Sequence, residues 1–63
     1  MTTLTIKQTK LMWMVAGGMT DKEIAATEGV ALSTVKNTMV TIYDKLEARN
    51  RAHAVYRFCF ERN

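Results

Sequence analysis

With 63 residues, nine Lys and Arg against six Asp and Glu, and a single cysteine, the chain is expected to form one domain over 1–63, near the lower limit at which a core is buried without staples. Cys59 has no partner for an internal disulfide, and one Cys with one His cannot supply four zinc ligands, so helix packing has to close the core in a reducing, cytoplasmic setting, without metal or cofactor. No apolar run approaches the ~20 residues needed to cross a bilayer and no signal-peptide layout opens the chain, so no membrane role is expected; the net charge of +3 favours a polyanionic partner.

Met1 to Leu4 read as an extended or frayed lead-in. Thr5-x-x-Gln8 then forms a capping box, in which the Thr5 side chain accepts from the backbone at Gln8 and the Gln8 side chain reaches back. Helix one follows, with Leu11, Met12, Met14 and Val15 as its buried stripe through Ala16, and Gly17-Gly18 terminates it. Trp13 falls nearly opposite Leu11 and Val15 on the helical wheel. Two readings fit it: an indole lying flat over neighbouring side chains, or an exposed partner-binding residue.

Thr20-x-x-Glu23 is a second capping box, followed by an acidic first turn of Asp21 and Glu23 that suits a helix N-terminus. Met19 stands where it can staple against Ile24. Helix two should last about two turns and end at Gly29, whose freedom to take a positive φ allows a sharp bend. Glu28, next to that bend, has to snorkel to water or find a cation, because an uncompensated buried carboxylate is costly. Across the turn, Ile24, Ala25, Val30 and Val35 are expected to face one another, so residues 21–40 read as a helix-turn-helix.

Helix three is predicted from about Ser33 to Leu46. Ala31 has no capping oxygen, so Ser33 or the backbone near Ala31 must serve the free amides. At ~100° per residue, Val35, Met39, Ile42 and Leu46 fall on one stripe. The opposite side carries Ser33, Asn37, Val40, Thr41 and Asp44, flanked by Thr34 and Lys36. That side is short, hydrogen-bonding and almost uncharged, a pattern that suits base edges better than a merely solvated face rich in Glu and Lys. Lys45 sits at the negative C-terminal pole.

Glu47, Ala48 and Arg49 form a link, and Asn50 caps a fourth helix. Ala54, Val55 and Phe58 dock on the core, while Tyr56, Cys59 and Phe60 project elsewhere as an apolar patch. Either this patch is a symmetric dimer contact, or helix one covers part of it. Every apolar stretch has helical rather than alternating period, so the fold class is all-α with four helices.

Leu4-Thr5, Ala16, Gly18, Lys22-Glu23-Ile24-Ala25, Gly29-Val30, Thr34-Val35-Lys36, Ile42, Lys45-Leu46, Asn50-Arg51 and Ala54-Val55 fall in register, without gaps, on one known pattern. The chain resembles the LuxR/GerE-type DNA-binding domain from Leu4 to about Arg57. The resemblance implies a four-helix fold without a wing, a third helix that enters the major groove, and a fourth that often forms a dimer contact. Carried over residue by residue, it implies that Lys36, Asn37 and Val40, with Thr41 in addition, meet base edges. Lys can donate to guanine, Asn can pair with adenine, and Val can touch a thymine methyl. Thr20, Lys22, Ser33, Thr34, Lys45 and Arg51 are the expected phosphate contacts, with a solvated charge as the competing reading for Lys45 and Arg51. The sequence departs from the family pattern at Gln8 for Glu, Glu28 for Leu, Ala31 for a capping Ser, Thr38 for His, and Glu47 for Gly.

These readings converge on a sequence-specific transcriptional regulator of bacterial or phage type, binding double-stranded DNA as a homodimer. Many family members carry a sensor domain, for which this chain has no room, so a stand-alone factor is expected. A second reading is a small interaction protein that captures a larger regulator of the same family through Trp13 and the Tyr56, Cys59, Phe60 face. Catalysis is not expected. His53 and Cys59 lie six positions apart, about 240° around one helix, and no carboxylate pair or phosphate-cradling loop is present.

Overall fold

The computed structural model describes residues 3–61; of the expected lead-in, Met1 and Thr2 lie outside them. The described residues form four α-helices and a closing π-helical turn: α1 (Ile6–Ala16), α2 (Asp21–Glu28), α3 (Leu32–Leu46), α4 (Arg51–Tyr56) and the turn Arg57–Glu61. No strand occurs among them.

Each helix begins where local chemistry dictates. Gln8 N–H donates to Thr5 Oγ1 at 3.1 Å and Thr5 N–H donates to Gln8 Oε1 at 3.0 Å, which completes the first capping box. Thr20 and Glu23 repeat it at 2.8 and 3.2 Å. Asn50 Oδ1 accepts from His53 N–H at 2.9 Å and caps α4. The exception is α3, whose N-cap Ala31 makes no side-chain bond. Ser33 does not fill that role; the Ala31 carbonyl accepts from Thr34 N–H at 3.0 Å and Val35 N–H at 3.3 Å.

Helices α2 and α3 stop through left-handed residues. Gly29 adopts φ 68°, and Val30 N–H donates back to the Ala25 carbonyl at 3.0 Å. A Cβ at Gly29 would meet nothing within 4 Å, so the glycine serves the dihedral rather than any close approach. At the end of α3 the same geometry falls on Glu47, with φ 54° and Ala48 N–H donating to the Tyr43 carbonyl at 2.8 Å. A carboxylate thus occupies a position where glycine would carry no steric penalty.

The core is built from one face of every helix: Leu11, Met12 and Val15 of α1, Ile24 and Ala25 of α2, Val35, Met39, Ile42 and Leu46 of α3, then Ala54 and Phe58. The whole predicted stripe of α3 is buried. Met14, Met19, Val55 and also Leu4 pack against this core, so Leu4 belongs to the fold rather than to a frayed end. Val30 departs from expectation. It is 43% exposed, because the left-handed turn at Gly29 carries it outward while Ile24, Ala25 and Val35 close the helix pair. Trp13 is half exposed but does not lie flat; its ring meets Phe58 edge-on, with centroids 4.9 Å apart and an interplanar angle of 80°.

Three polar ties lock the helices together. Lys45 Nζ donates to Gln8 Oε1 at 2.8 Å, joining the end of α3 to the cap of α1. Arg51 donates to Asp21 Oδ1 and to the Met19 carbonyl, both at 2.6 Å, joining α4 to the start of α2. Glu28 finds its cation in Lys10, 3.5 Å away.

Candidate nucleic-acid interface

Burying Val35, Met39, Ile42 and Leu46 against α2 and α4 leaves the opposite side of α3 turned to solvent. Ser33, Thr34, Lys36, Asn37, Val40, Thr41 and Asp44 are all exposed. Val40 has 65% of its surface accessible, so a branched apolar side chain stands among polar ones on a face with no protein neighbour to bury it. An α-helix rises ~1.5 Å per residue, so Lys36, Asn37, Val40 and Thr41 form a patch about one and a half turns long on the exposed side of α3.

The threonines of this helix are partly turned back on it. Thr38 Oγ1 donates to the Thr34 carbonyl at 2.8 Å, and Thr41 Oγ1 donates to the Asn37 carbonyl at 3.4 Å. Thr41 therefore offers mainly its lone pairs and its methyl group outward. Lys36 and Asn37 make no side-chain bond among the described residues, so their full donor and acceptor capacity faces solvent.

Around this patch the backbone supplies further donors. Because Ala31 has no capping oxygen, the amides of Leu32 and Ser33 keep no acceptor among the described residues, at the positive end of a helix of 15 residues. The Ser33 and Thr34 side chains stand beside them, exposed. At the start of α2, Lys22 and Thr20 are also exposed, and the Thr20 hydroxyl accepts from Glu23 N–H. Glu23, in the same turn, is held below the ordinary carboxylate pKa by the Thr20 backbone N–H, with help from the Thr20 side chain.

Lys45 and Arg51 stand apart from these groups. Both are partly buried and already bonded within the fold, Lys45 to Gln8 and Arg51 to Asp21 and Met19. Neither a solvated charge nor a freely offered phosphate contact describes them, and the partners that engage them lie 37 and 30 positions away in sequence.

The aromatic patch lies at the far end of the chain. Tyr56 is 51% and Phe60 77% exposed, their rings 5.4 Å apart, with Cys59 exposed beside them. Helix α1 does not cover this surface; its Trp13 meets Phe58 instead. The change from α- to π-helical winding at Arg57 was not anticipated from the apolar pattern.

Comparison with known proteins agrees with this architecture. The family model for bacterial regulatory proteins of the luxR family matches residues 2–58. The chain is 42% identical over 52 residues to the probable transcriptional regulatory protein SgaR of Hyphomicrobium methylovorum, covering 82% of this chain and 25% of that protein. It is 43% identical over 53 residues to the HTH-type transcriptional regulator AlkS of Alcanivorax borkumensis, covering 84% of this chain and 6% of that one. The chain thus spans a quarter or less of the curated relatives it matches. No solved structure matches it. No helix among the described residues is long and apolar enough to cross a membrane.

Proposed function

The chain belongs to the luxR family of bacterial regulatory proteins, and from that premise we propose that it is a sequence-specific DNA-binding transcriptional regulator that lays α3 in the major groove. The observation that carries the proposal is the two-sided character of α3. One side is wholly committed to the core, and the other presents Lys36, Asn37, Val40 and Thr41 with no protein cover. A major groove about 12 Å wide accepts a helix in that orientation.

Within this reading Lys36 donates to guanine O6 and N7, Asn37 pairs with the adenine edge, and Val40 and the Thr41 methyl contact thymine methyl groups. Thr20, Lys22, Ser33, Thr34 and the open amides of α3 hold the flanking phosphates, which sets register without reading sequence. Lys45 and Arg51 serve the fold first, on the strength of their internal partners. A single module offers little interface, so two copies paired through Tyr56, Cys59 and Phe60 would bind half-sites about one helical turn apart. A cytoplasmic, bacterial setting follows from the same reading.

The test is selection of bound duplexes from a random pool at two salt concentrations. A recurring motif with two-fold symmetry, bound much more weakly at the higher salt, is the expected result. Failure to enrich any motif would refute sequence-specific binding, and a single unpaired site would refute the dimer.

A further inference from the structure

The outer side of α1 is unusual for a helix that meets solvent. Ile6, Lys10, Trp13 and Gly17 follow one another at spacings of four, three and four residues. At ~100° per residue they stand on one stripe, turned away from the buried Leu11, Met12 and Val15. Ile6 is 91% and Trp13 52% exposed, and the Lys10 side chain between them is 65% exposed. Trp13 is engaged within the fold where its ring meets Phe58, and what it offers to a partner is the half of its surface that stays accessible. Gly17 is not required by its backbone. Its φ of −78° is right-handed, and a Cβ there would come no nearer than 3.4 Å to its closest neighbour, the Trp13 carbonyl. What glycine alone supplies is the missing side chain, which leaves a notch at the end of the stripe. Two large exposed apolar groups on one side of a helix mark a contact surface rather than a solvated one.

Reversed against itself, this stripe is its own complement. When α1 of a second copy runs antiparallel, with the two-fold axis between Leu11 and Met12, Ile6 falls level with Gly17 and Lys10 falls level with Trp13. From this register we infer that α1 is a pairing surface for α1 of a second copy of the chain. Ile6 fills the notch at Gly17 of the second copy, which lets the helix axes approach to about 8 Å, the close end of the range for helix pairs. The Lys10 ammonium lies against the accessible part of the indole of the other chain, a cation on the negative face of a π-system. Each contact is made twice. Glu28, 3.5 Å from Lys10, offsets the like charge of two basic copies, and the ammonium has donors beyond that one bond. A parallel pairing would set Ile6 on Ile6 and Lys10 on Lys10, with both notches empty and the cations opposed. One side of an 11-residue helix falls short of the ~1,000 Å² that a stable interface needs, so the contact joins copies already held close. It shares no residue with the Tyr56, Cys59 and Phe60 patch or with the exposed side of α3. Under the function proposed above, it would link dimers bound at neighbouring sites on one duplex; the contact itself does not rest on that reading.

The experiment is directed cross-linking of the full chain in a Cys59→Ser background, without DNA. Chains carrying Ile6→Cys and chains of different tag length carrying Gly17→Cys are mixed at high concentration, oxidised with copper phenanthroline and resolved by non-reducing electrophoresis. Both positions are exposed and outside the core, so helical circular dichroism should match that of the parent. The antiparallel register sets position 6 against position 17 of the other chain, whereas the two copies of position 6 lie about 16 Å apart along the helix axis, as do the two copies of position 17. The covalent dimers should therefore be almost all of the mixed kind. A statistical distribution of mixed and like pairs, like pairs alone, or no covalent dimer overturns the inference. Lys10→Glu in both chains sets a carboxylate beside Glu28 and against the negative face of the Trp13 ring, and should cut the mixed product several-fold. Lys10→Arg should retain it, and a yield that Lys10→Glu leaves unchanged also overturns the inference. Because no duplex is present, failure here leaves the DNA-binding proposal standing, and failure to select any duplex leaves the α1 contact standing.

Discussion

Arg51 offers the sharpest quantitative test, because its sequence suggests a phosphate contact and its surroundings a structural one. Its guanidinium donates to Asp21 and to the Met19 carbonyl at 2.6 Å each, a fork that an ammonium cannot reproduce. A hydrogen bond involving a charged group contributes about 1.5–3 kcal/mol when well shielded. Here the Arg51 and Asp21 side chains are 36% and 26% exposed, so solvent screening reduces the pair to about half of that per bond. Arg51→Lys keeps the charge and one contact, and the expected loss is about 1–2 kcal/mol, a large part of the ~3–5 kcal/mol that a core of this size supplies. For so short a domain each kcal/mol moves Tm by about 4–8 °C, which predicts a fall of about 5–15 °C by circular dichroism. Duplex affinity of the folded protein, and its dependence on salt, should stay as they were, since the positive charge is retained. The opposite pattern, an unchanged Tm with weakened binding and a shallower salt slope, would refute the structural assignment and restore Arg51 to the DNA backbone.

Asn37→Ala should weaken binding to a selected duplex by about 1–3 kcal/mol, roughly 5- to 150-fold by fluorescence anisotropy, and leave a scrambled duplex unaffected. Its Tm should hold or rise slightly, because Ala is the better helix former by up to ~0.7 kcal/mol and the Asn37 side chain is exposed and makes no hydrogen bond among the described residues; a falling Tm would contradict the exposed placement. Glu23 has a folded pKa below its unfolded one, so its contribution is fully present above about pH 4.3 and is lost as pH falls through the lower folded value. Glu23→Gln keeps an acceptor for Thr20 but not the titration, and acid melting curves should then depend less on pH in that window. Tyr56→Ala with Phe60→Ala removes side chains that are more than half exposed, so Tm at low concentration should change little. Sedimentation should report the loss of dimer and duplex binding should lose its two-fold cooperativity; an unchanged sedimentation profile would place the pairing surface elsewhere.

The family resemblance and the all-helical fold were legible from residues close together in the chain. Both capping boxes, the Asn50 cap, the turn at Gly29 and the missing cap at Ala31 depend on groups three or four positions apart, and each appears as the sequence implies. The buried stripe of α3 was equally readable, because a period of 3.6 residues assigns faces without knowledge of what covers them. The exposed side of α3 follows as the opposite face of that stripe, whereas the choice of Lys36, Asn37, Val40 and Thr41 as base contacts came from the family resemblance.

Tertiary structure decided what local pattern leaves open. Which cation meets which acceptor depends on how the helices cross, so the pairing of Lys45 with Gln8 and of Arg51 with Asp21, across 37 and 30 positions, had no signal in spacing. Val30 reads as core by composition but turns outward, because the path after a left-handed residue is set by three-dimensional packing rather than by helical period. The π-helical winding at Arg57 is of the same kind. Periodicity and caps are properties of a short stretch of backbone and act before the helices meet, whereas burial of an individual side chain and the choice of its polar partner come into being only when separate helices share one core.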